Sequence, residues 1–196
     1  MSRNPQAGAM HDKEVTVPAS HSGDSVSIRS VQPEDWPIVR DVVLEMYNDA
    51  PYAIGGSLAE EEALTEQEWR QYAGKLADTT RGCGCLAEDA QGACGFVAGD
   101  AEYPLLPPRA VAVFRLWVAP RQRGTGLGRR LMDAVTEWAA SWGAEQVALG
   151  VKETNADVLK FYGHLGYEDT GMRLQVPNQP GNVIIMGRRL KPEQPT

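Results

Sequence analysis

The stretch "RAVAVFRLWV", residues 109–118, restricts the fold more than any other part of the chain. It is the longest strand candidate: Ala112, Phe114, Leu116 and Val118 alternate with Val111, Val113, Arg115 and Trp117, the period of two that sends successive side chains to opposite faces. Pro120 ends it, because proline has no N–H to give to a ladder. Within ten residues a helical pattern begins, with Leu127, Leu131, Val135, Trp138 and Trp142 forming an apolar stripe that Gly143 stops. A strand that turns directly into a long amphipathic helix needs a sheet to sit in and a sheet face for the helix to cover.

The flanking patterns supply both. "SVSIRSV" reads as a first strand. "QPEDWPIVRDVVLEMYND" reads as a helix, with Pro33, Glu34 and Asp35 at its start and Trp36, Val39, Val43 and Met46 on one face. "APYAIGGSLAEEEA" interrupts with Pro51, Gly55 and Gly56, and a second helix runs from about Thr65 to Ala77, where Thr65 and Glu68 match a capping box. "GCGCLAED" and "ACGFVAGD" form a hairpin across "AQG". After the central strand and its helix come the strand "EQVALGV", the short helix "NADVLKFYGHLG" and the strands "YEDTGMRL" and "NVIIMGRR". The order β-α-α-β-β-β-α-β-α-β-β fits an α/β (α+β) fold with a mixed, mostly antiparallel sheet of 6–7 strands flanked by about 4 helices. Residues 25–191 are expected to form one domain between tails at 1–24 and 192–196, both polar and aperiodic.

Composition narrows the function classes. The net charge is −7 over 196 residues, which argues against a nucleic-acid partner, since that binding needs a basic field. No apolar run approaches the ~18 residues of a membrane span, and the N-terminus lacks a signal-type apolar core, so a cytoplasmic protein without membrane contact is expected. Cys83, Cys85 and Cys94 are odd in number and clustered among glycines, which suits small side chains in a hairpin better than a disulfide framework. No histidine or fourth cysteine completes a zinc-like set, and no metal is expected.

The turn "APRQRGTGLGRRL" carries the chemistry. A helix N-terminus offers unpaired N–H groups and a partial positive charge. Gly124 and Gly126 let the backbone approach a ligand and adopt positive φ, Arg121 or Arg123 can add charge-assisted bonds, and Gly128 suits close helix–sheet packing. That suits a seat for a diphosphate; the other reading is a solvated basic helix start whose glycines serve only the turn. Two familiar nucleotide motifs fail: position 129 is Arg where a dinucleotide fingerprint wants Gly, and no lysine follows Gly126 or Gly128 as a P-loop requires.

What the residues do match is a family pattern. "R121-Q-R-G124-T-G126" resembles the Arg/Gln-x-x-Gly-x-Gly/Ala acyl-CoA loop of the GNAT superfamily of N-acetyltransferases, placed after a long strand and opening a helix. Downstream, "N155-A-D-V158-L-K-F161-Y162-G-H-L-G166-Y167" resembles that family's Asn-x-x-Ala-x-x-x-Tyr-x-x-x-Gly-Phe segment. The likeness in element order spans about residues 26–190.

The resemblance implies acetyl-CoA as co-substrate and transfer of its acetyl group to a primary amine of a small molecule or a peptide or protein. The sheet would splay at a bulge in the fourth strand. Arg121, Arg123, Gly124, Thr125, Gly126, Leu127 and Gly128 would hold the diphosphate, and Leu116, Trp117 and Val118 would offer backbone groups to the pantetheine arm and acetyl carbonyl. Asn155 would bind the pantetheine, though an asparagine there is equally a helix cap. Phe161 belongs to the same cofactor-binding set, and Tyr162 would protonate the departing thiolate, or both could simply pack. One departure stands out: many family members carry a glutamate in the central strand, and "AVAVFR" has no carboxylate. A base would then come from Glu45, Asp49, Glu60, Glu61, Glu62, Asp100 or Glu102. Tyr47, Tyr52, Glu60 and Tyr103 are candidates for the acceptor pocket. Alternatives are an acyl-CoA-binding sensor without catalysis, and acyl transfer to a hydroxyl. A homodimer is left open, since dimers are common in the family.

Overall fold

A computed structural model describes residues 25–51, 56–175 and 181–190. The sheet has seven strands: β1 (Ser27–Ser30), β2 (Gly82–Asp89), β3 (Gly92–Asp100), β4 (Ala110–Val118), β5 (Gln146–Lys152), β6 (Glu168–Gln175) and β7 (Asn182–Arg189). Their spatial order is β1-β2-β3-β4-β5-β7-β6. All pairings are antiparallel except β4 with β5. The helices are α1 (Trp36–Asp49), α2 (Leu58–Glu62), α3 (Glu66–Ala77), α4 (Leu127–Trp142) and α5 (Ala156–His164).

Local chemistry explains the boundaries. Asp35 accepts from the Gln32 backbone N–H at 2.7 Å ahead of α1, and the Arg29 guanidinium beside it holds its carboxyl below the usual range. At α3, Thr65 and Glu68 satisfy each other's N–H groups, the expected capping box. Helix α2, a single turn capped by Ser57, lies in the segment where the sequence showed only an interruption; five residues give no periodicity to detect.

Helices α1 and α3 cover one face of the sheet and α4 the other. Val39, Val43, Met46, Trp69 and Leu76 bury the first layer; Leu127, Leu131, Met132 and Val135 bury the second. Trp138 and Trp142 keep a polar edge, donating indole N–H groups to the Thr79 and Thr80 carbonyls at 3.0 Å each. The hairpin glycines give α4 room: a Cβ on Gly99 would meet the Trp138 ring at 2.7 Å. Cys83, Cys85 and Cys94 are buried and free in the same hairpin. Among the described residues no helix is long and apolar enough to cross a membrane.

The central strand corrects one expectation. Alternation from Val111 to Val118 would place Trp117 with Val111 and Val113. The β3–β4 register instead runs Ala98↔Phe114 and then Phe96↔Trp117, so β4 holds one residue more than its partner across this step. Arg115 lies in that extra stretch, at φ 57°. A bulge moves every later side chain to the other face. Trp117 therefore joins Ala112 and Phe114 on the α1 side, and Val118 turns toward α4. The bulge implied for this strand is thus present; a left-handed backbone costs a non-glycine residue about 1–2 kcal/mol, and residue type alone does not place it at Arg115.

Candidate active site

The parallel pairing of β4 with β5 lasts only from Ala110↔Gln146 to Ala112↔Ala148. Beyond it β4 stays on β3 as far as Val118↔Gly95, while β5 stays on β7 as far as Lys152↔Val183. The two strands diverge, and a cavity of about 690 Å³ opens between them. It reaches from Tyr47, Glu61 and Tyr72 on the α1–α3 side, past Arg115, Leu116 and Trp117, to Asn155, Val158 and Tyr162 on α5. That volume suits a small-molecule site.

The loop into α4 follows the end of β4 beside α5, outside the lining of that cavity. Gly124 and Gly126 have φ of 79° and 85°, and a Cβ on either would meet nothing within 4 Å. Their requirement is conformational rather than steric. Gly126 is the N-cap of α4 and contributes no side chain, so the first-turn N–H groups keep no side-chain cap. Leu127 turns its side chain into the core, and Thr125 closes the turn by donating its hydroxyl to the Gln122 carbonyl at 2.8 Å. Gly128 faces Phe161, whose ring would lie 3.4 Å from an added Cβ.

The two loop arginines have distinct surroundings. Arg121 donates to both Asp89 oxygens, at 3.0 and 3.2 Å, and to the Ala93 carbonyl at 3.0 Å, which ties the loop to the β2–β3 hairpin. Arg121 and Gln122 together hold the Asp89 carboxyl far below its ordinary range. Arg123 donates to the Val118 carbonyl at 3.1 Å and pairs with Asp49 at the end of α1. Asp49 also accepts from the Trp117 indole at 3.1 Å. One carboxylate thus joins the loop to the bulged strand.

Helix α5 forms the cavity's far wall. Asn155 accepts from the Val158 N–H at 3.3 Å through its side-chain oxygen and lines the cavity as well, so cap and wall coincide in one residue. Tyr162 is 8% exposed, with edge contacts to the Phe161 and Tyr167 rings at 5.1 and 5.7 Å. Burial raises its phenol pKa above the ordinary value, so it stays protonated through the physiological range.

The α1–α3 side of the cavity is built from distant parts of the sequence. Arg115 donates to Glu61 Oε1 at 2.5 Å and lies over the Tyr72 ring at 4.9 Å. Glu61 is buried, and burial pushes the Tyr72 phenol up to about 12. Burial, followed by the charge of Glu61, also raises Tyr47. Of the acceptor candidates, Tyr47 and the exposed Tyr103 line the cavity. Glu60 turns to the α2 cap, where it accepts from the Ser57 hydroxyl at 3.0 Å, and Tyr52 lies outside the described residues. Among the proposed bases, Asp100 pairs with Lys75 at 2.7 Å and Glu102 with Arg81 at 2.8 Å. Arg115 and Tyr72 were not singled out for the site. The only available signal was a charged residue on an otherwise apolar face of the longest strand.

Residues 40–167 match the Acetyltransferase (GNAT) family. The chain belongs to that family. An uncharacterized N-acetyltransferase of Mycobacterium tuberculosis is 38% identical over 83 residues, which is 42% of this chain and 53% of the relative. The match therefore spans about half the length of that curated relative. An L-methionine sulfoximine/L-methionine sulfone acetyltransferase of Pseudomonas aeruginosa is 29% identical over 169 residues, covering 82% of this chain and 90% of the relative. The yncA protein of Salmonella typhimurium, solved with its cofactor acetyl-CoA, superposes with a TM-score of 0.69 at 16% identity, over 88% of this chain and 98% of the other. At that identity the likeness establishes the GNAT fold: a seven-stranded, mostly antiparallel sheet parted at β4 and β5.

Proposed function

We propose that this GNAT protein transfers an acetyl group from acetyl-CoA to the amine of a small molecule. The observation that carries the reading is the cavity between the parted strands β4 and β5, lined by the bulged strand, Asn155 and Tyr162, with an uncapped, glycine-built helix N-terminus following β4. Acetyl-CoA supplies the activated acyl group. The N–H groups of the loop and the first turn of α4, which have no side-chain cap, suit its diphosphate. Arg123, bonded to the Val118 carbonyl and Asp49, is about half exposed and is the more exposed of the two loop arginines. Arg121 acts chiefly by fixing the loop to the hairpin.

The bulge at Arg115 interrupts the β4 ladder beside Leu116 and Trp117, which releases backbone groups toward the cavity. N–H groups aimed there would stabilise negative charge on an acyl oxygen. A neutral amine attacks the acetyl carbonyl and gives up its proton to a base or water; as the C–S bond breaks, Tyr162 at the α5 wall gives its proton to the departing sulfur. Its raised pKa keeps that proton in place at any working pH, so supply does not limit the step. A small acceptor is supported by the Pseudomonas relative, whose name gives L-methionine sulfoximine and L-methionine sulfone as acceptors.

Thiol release from acetyl-CoA across a panel of amines tests the proposal. Amine-dependent release with formation of the N-acetyl product is expected. Tight CoA binding without release for any amine would replace this reading with that of a binding module.

A further inference from the structure

We infer that the Arg115–Glu61 pair selects the acceptor, and that the acceptor is a free α-amino acid or a close analogue carrying both an amine and a carboxylate. The inference rests on the acetyltransferase reading and concerns the part of the cavity lined by Glu61, Tyr72 and Arg115.

Two facts set this pair apart from an ordinary latch. Glu61 gives Oε1 to Arg115; its Oε2 is buried and meets no hydrogen bond of ordinary geometry among the described residues, although the Tyr47 hydroxyl lies beside the carboxylate. The Glu61 side chain is 9% exposed, so this oxygen sits where an unmet hydrogen bond is costly. A donor entering the cavity would satisfy it, and an ammonium is the strongest donor available. Arg115, for its part, is carried on the left-handed residue of the bulge. Its guanidinium is therefore set beside the bulged backbone that lines the cavity, with Tyr72 beneath it.

Charge balance then names the ligand. The charged groups on this side of the cavity are Glu61 with Arg115 and Asp100 with Lys75, two neutral pairs. Lys152 lies at the other wall, beside Asn155 at the end of β5. A plain ammonium added between Glu61 and Arg115 would leave one buried positive charge without a partner. An amino-acid zwitterion leaves none: its ammonium takes Glu61 Oε2 and its carboxylate takes the guanidinium, whose planar fork fits a carboxylate in bidentate fashion. Tyr47, Met46 and Leu106 line the adjoining wall, where the amino acid's own side chain would rest.

The test compares each of the L-amino acids with the amine obtained by removing its carboxylate, such as L-leucine with isoamylamine and L-phenylalanine with phenethylamine. With the intact protein, at least one amino acid should exceed its amine by 20-fold or more in kcat/KM. Arg115→Gln should collapse that ratio to within about threefold, through KM of the amino acid. Glu61→Gln should lower both members of the pair together, since both carry the amine. Amines acetylated as well as, or better than, every amino acid would overturn the inference using the wild-type protein alone. So would an Arg115→Gln variant that loses both substrates equally while it still binds CoA. Calorimetric titration with CoA keeps the two failures apart: intact CoA binding and turnover of plain amines leaves the acetyltransferase reading standing and removes only the clamp.

Discussion

The donor loop and the pocket are built in different ways. The loop is local: Arg121 to Gly128 are consecutive, and what they present is mostly backbone. The pocket is assembled over long distances: Arg115 reaches Glu61 across 54 positions and Trp117 reaches Asp49 across 68. A local backbone device tolerates change in everything except conformation. A long-range side-chain device depends on each partner but leaves the backbone free to vary. The first suits a donor that never changes, and the second an acceptor that distinguishes one enzyme from another.

The largest effect should come from breaking the local end. Gly124→Val with Gly126→Val forces two β-branched residues to φ near 80°, a region they avoid. Affinity for CoA should fall by at least about 100-fold as the N–H groups lose their common direction. Nothing lies within 4 Å of either new Cβ, so the chain should still fold with its core intact. Calorimetric titration with CoA, alongside a far-UV melting curve, checks both parts. Retained affinity in a folded double variant would show that the loop does not seat the diphosphate.

Next in size is Tyr162→Phe. The ring contacts to Phe161 and Tyr167 survive, and only the hydroxyl goes. The kcat should drop by about 100-fold, in the range general acids supply, with CoA affinity changed less than about twofold. Because burial raises the Tyr162 pKa, its protonated form persists to higher pH than an ordinary phenol. The wild-type kcat should therefore show no alkaline loss from this group up to about pH 10. A kcat that falls between pH 8 and 9, and a Tyr162→Phe variant in which that fall disappears, would mean the phenol titrates as an exposed group.

The same division explains what could be read from the sequence. Strand β4, helix α4 and its stripe, the capping box at Thr65 and the hairpin of β2 and β3 all follow from neighbours in the chain, where periodicity and turn chemistry act. Gly124 and Gly126 stood out for the same reason, and Asn155 and Tyr162 through the family segment they resemble. The face of Trp117 did not, because a bulge at an arginine leaves no compositional trace, and one slipped residue reverses everything after it. Nor did the pairing of Glu61 with Arg115. Three consecutive glutamates at 60–62 look like a solvated run, and only the single turn of α2 shows that Glu60 caps the helix while Glu61 points inward. Arg121 was visible as a charge near the diphosphate seat, but its partner Asp89 lies 32 residues earlier.

Asp49 belongs to both ends, and its removal gives the smallest effect and the finest comparison. It accepts from the Trp117 indole on the bulged strand and pairs with Arg123 on the loop. The Arg123 side chain is 52% exposed, so that ion pair contributes little, within the usual ~0–1 kcal/mol of surface pairs. The indole bond is better shielded and should contribute about 1 kcal/mol, which for a domain of this size moves the melting temperature by about 2–4 °C. Asp49→Ala should therefore melt slightly earlier while binding CoA within about threefold of wild type, because Arg123 loses a competitor as it loses a guide. Asp49→Asn, which keeps an acceptor for the indole and gives up the charge, should recover the melting temperature. If CoA affinity instead falls tenfold in both variants, the donor end is not purely local. Arg123 would then read the diphosphate only where α1 holds it, and the carboxylate between the two ends would be the point at which each depends on the other.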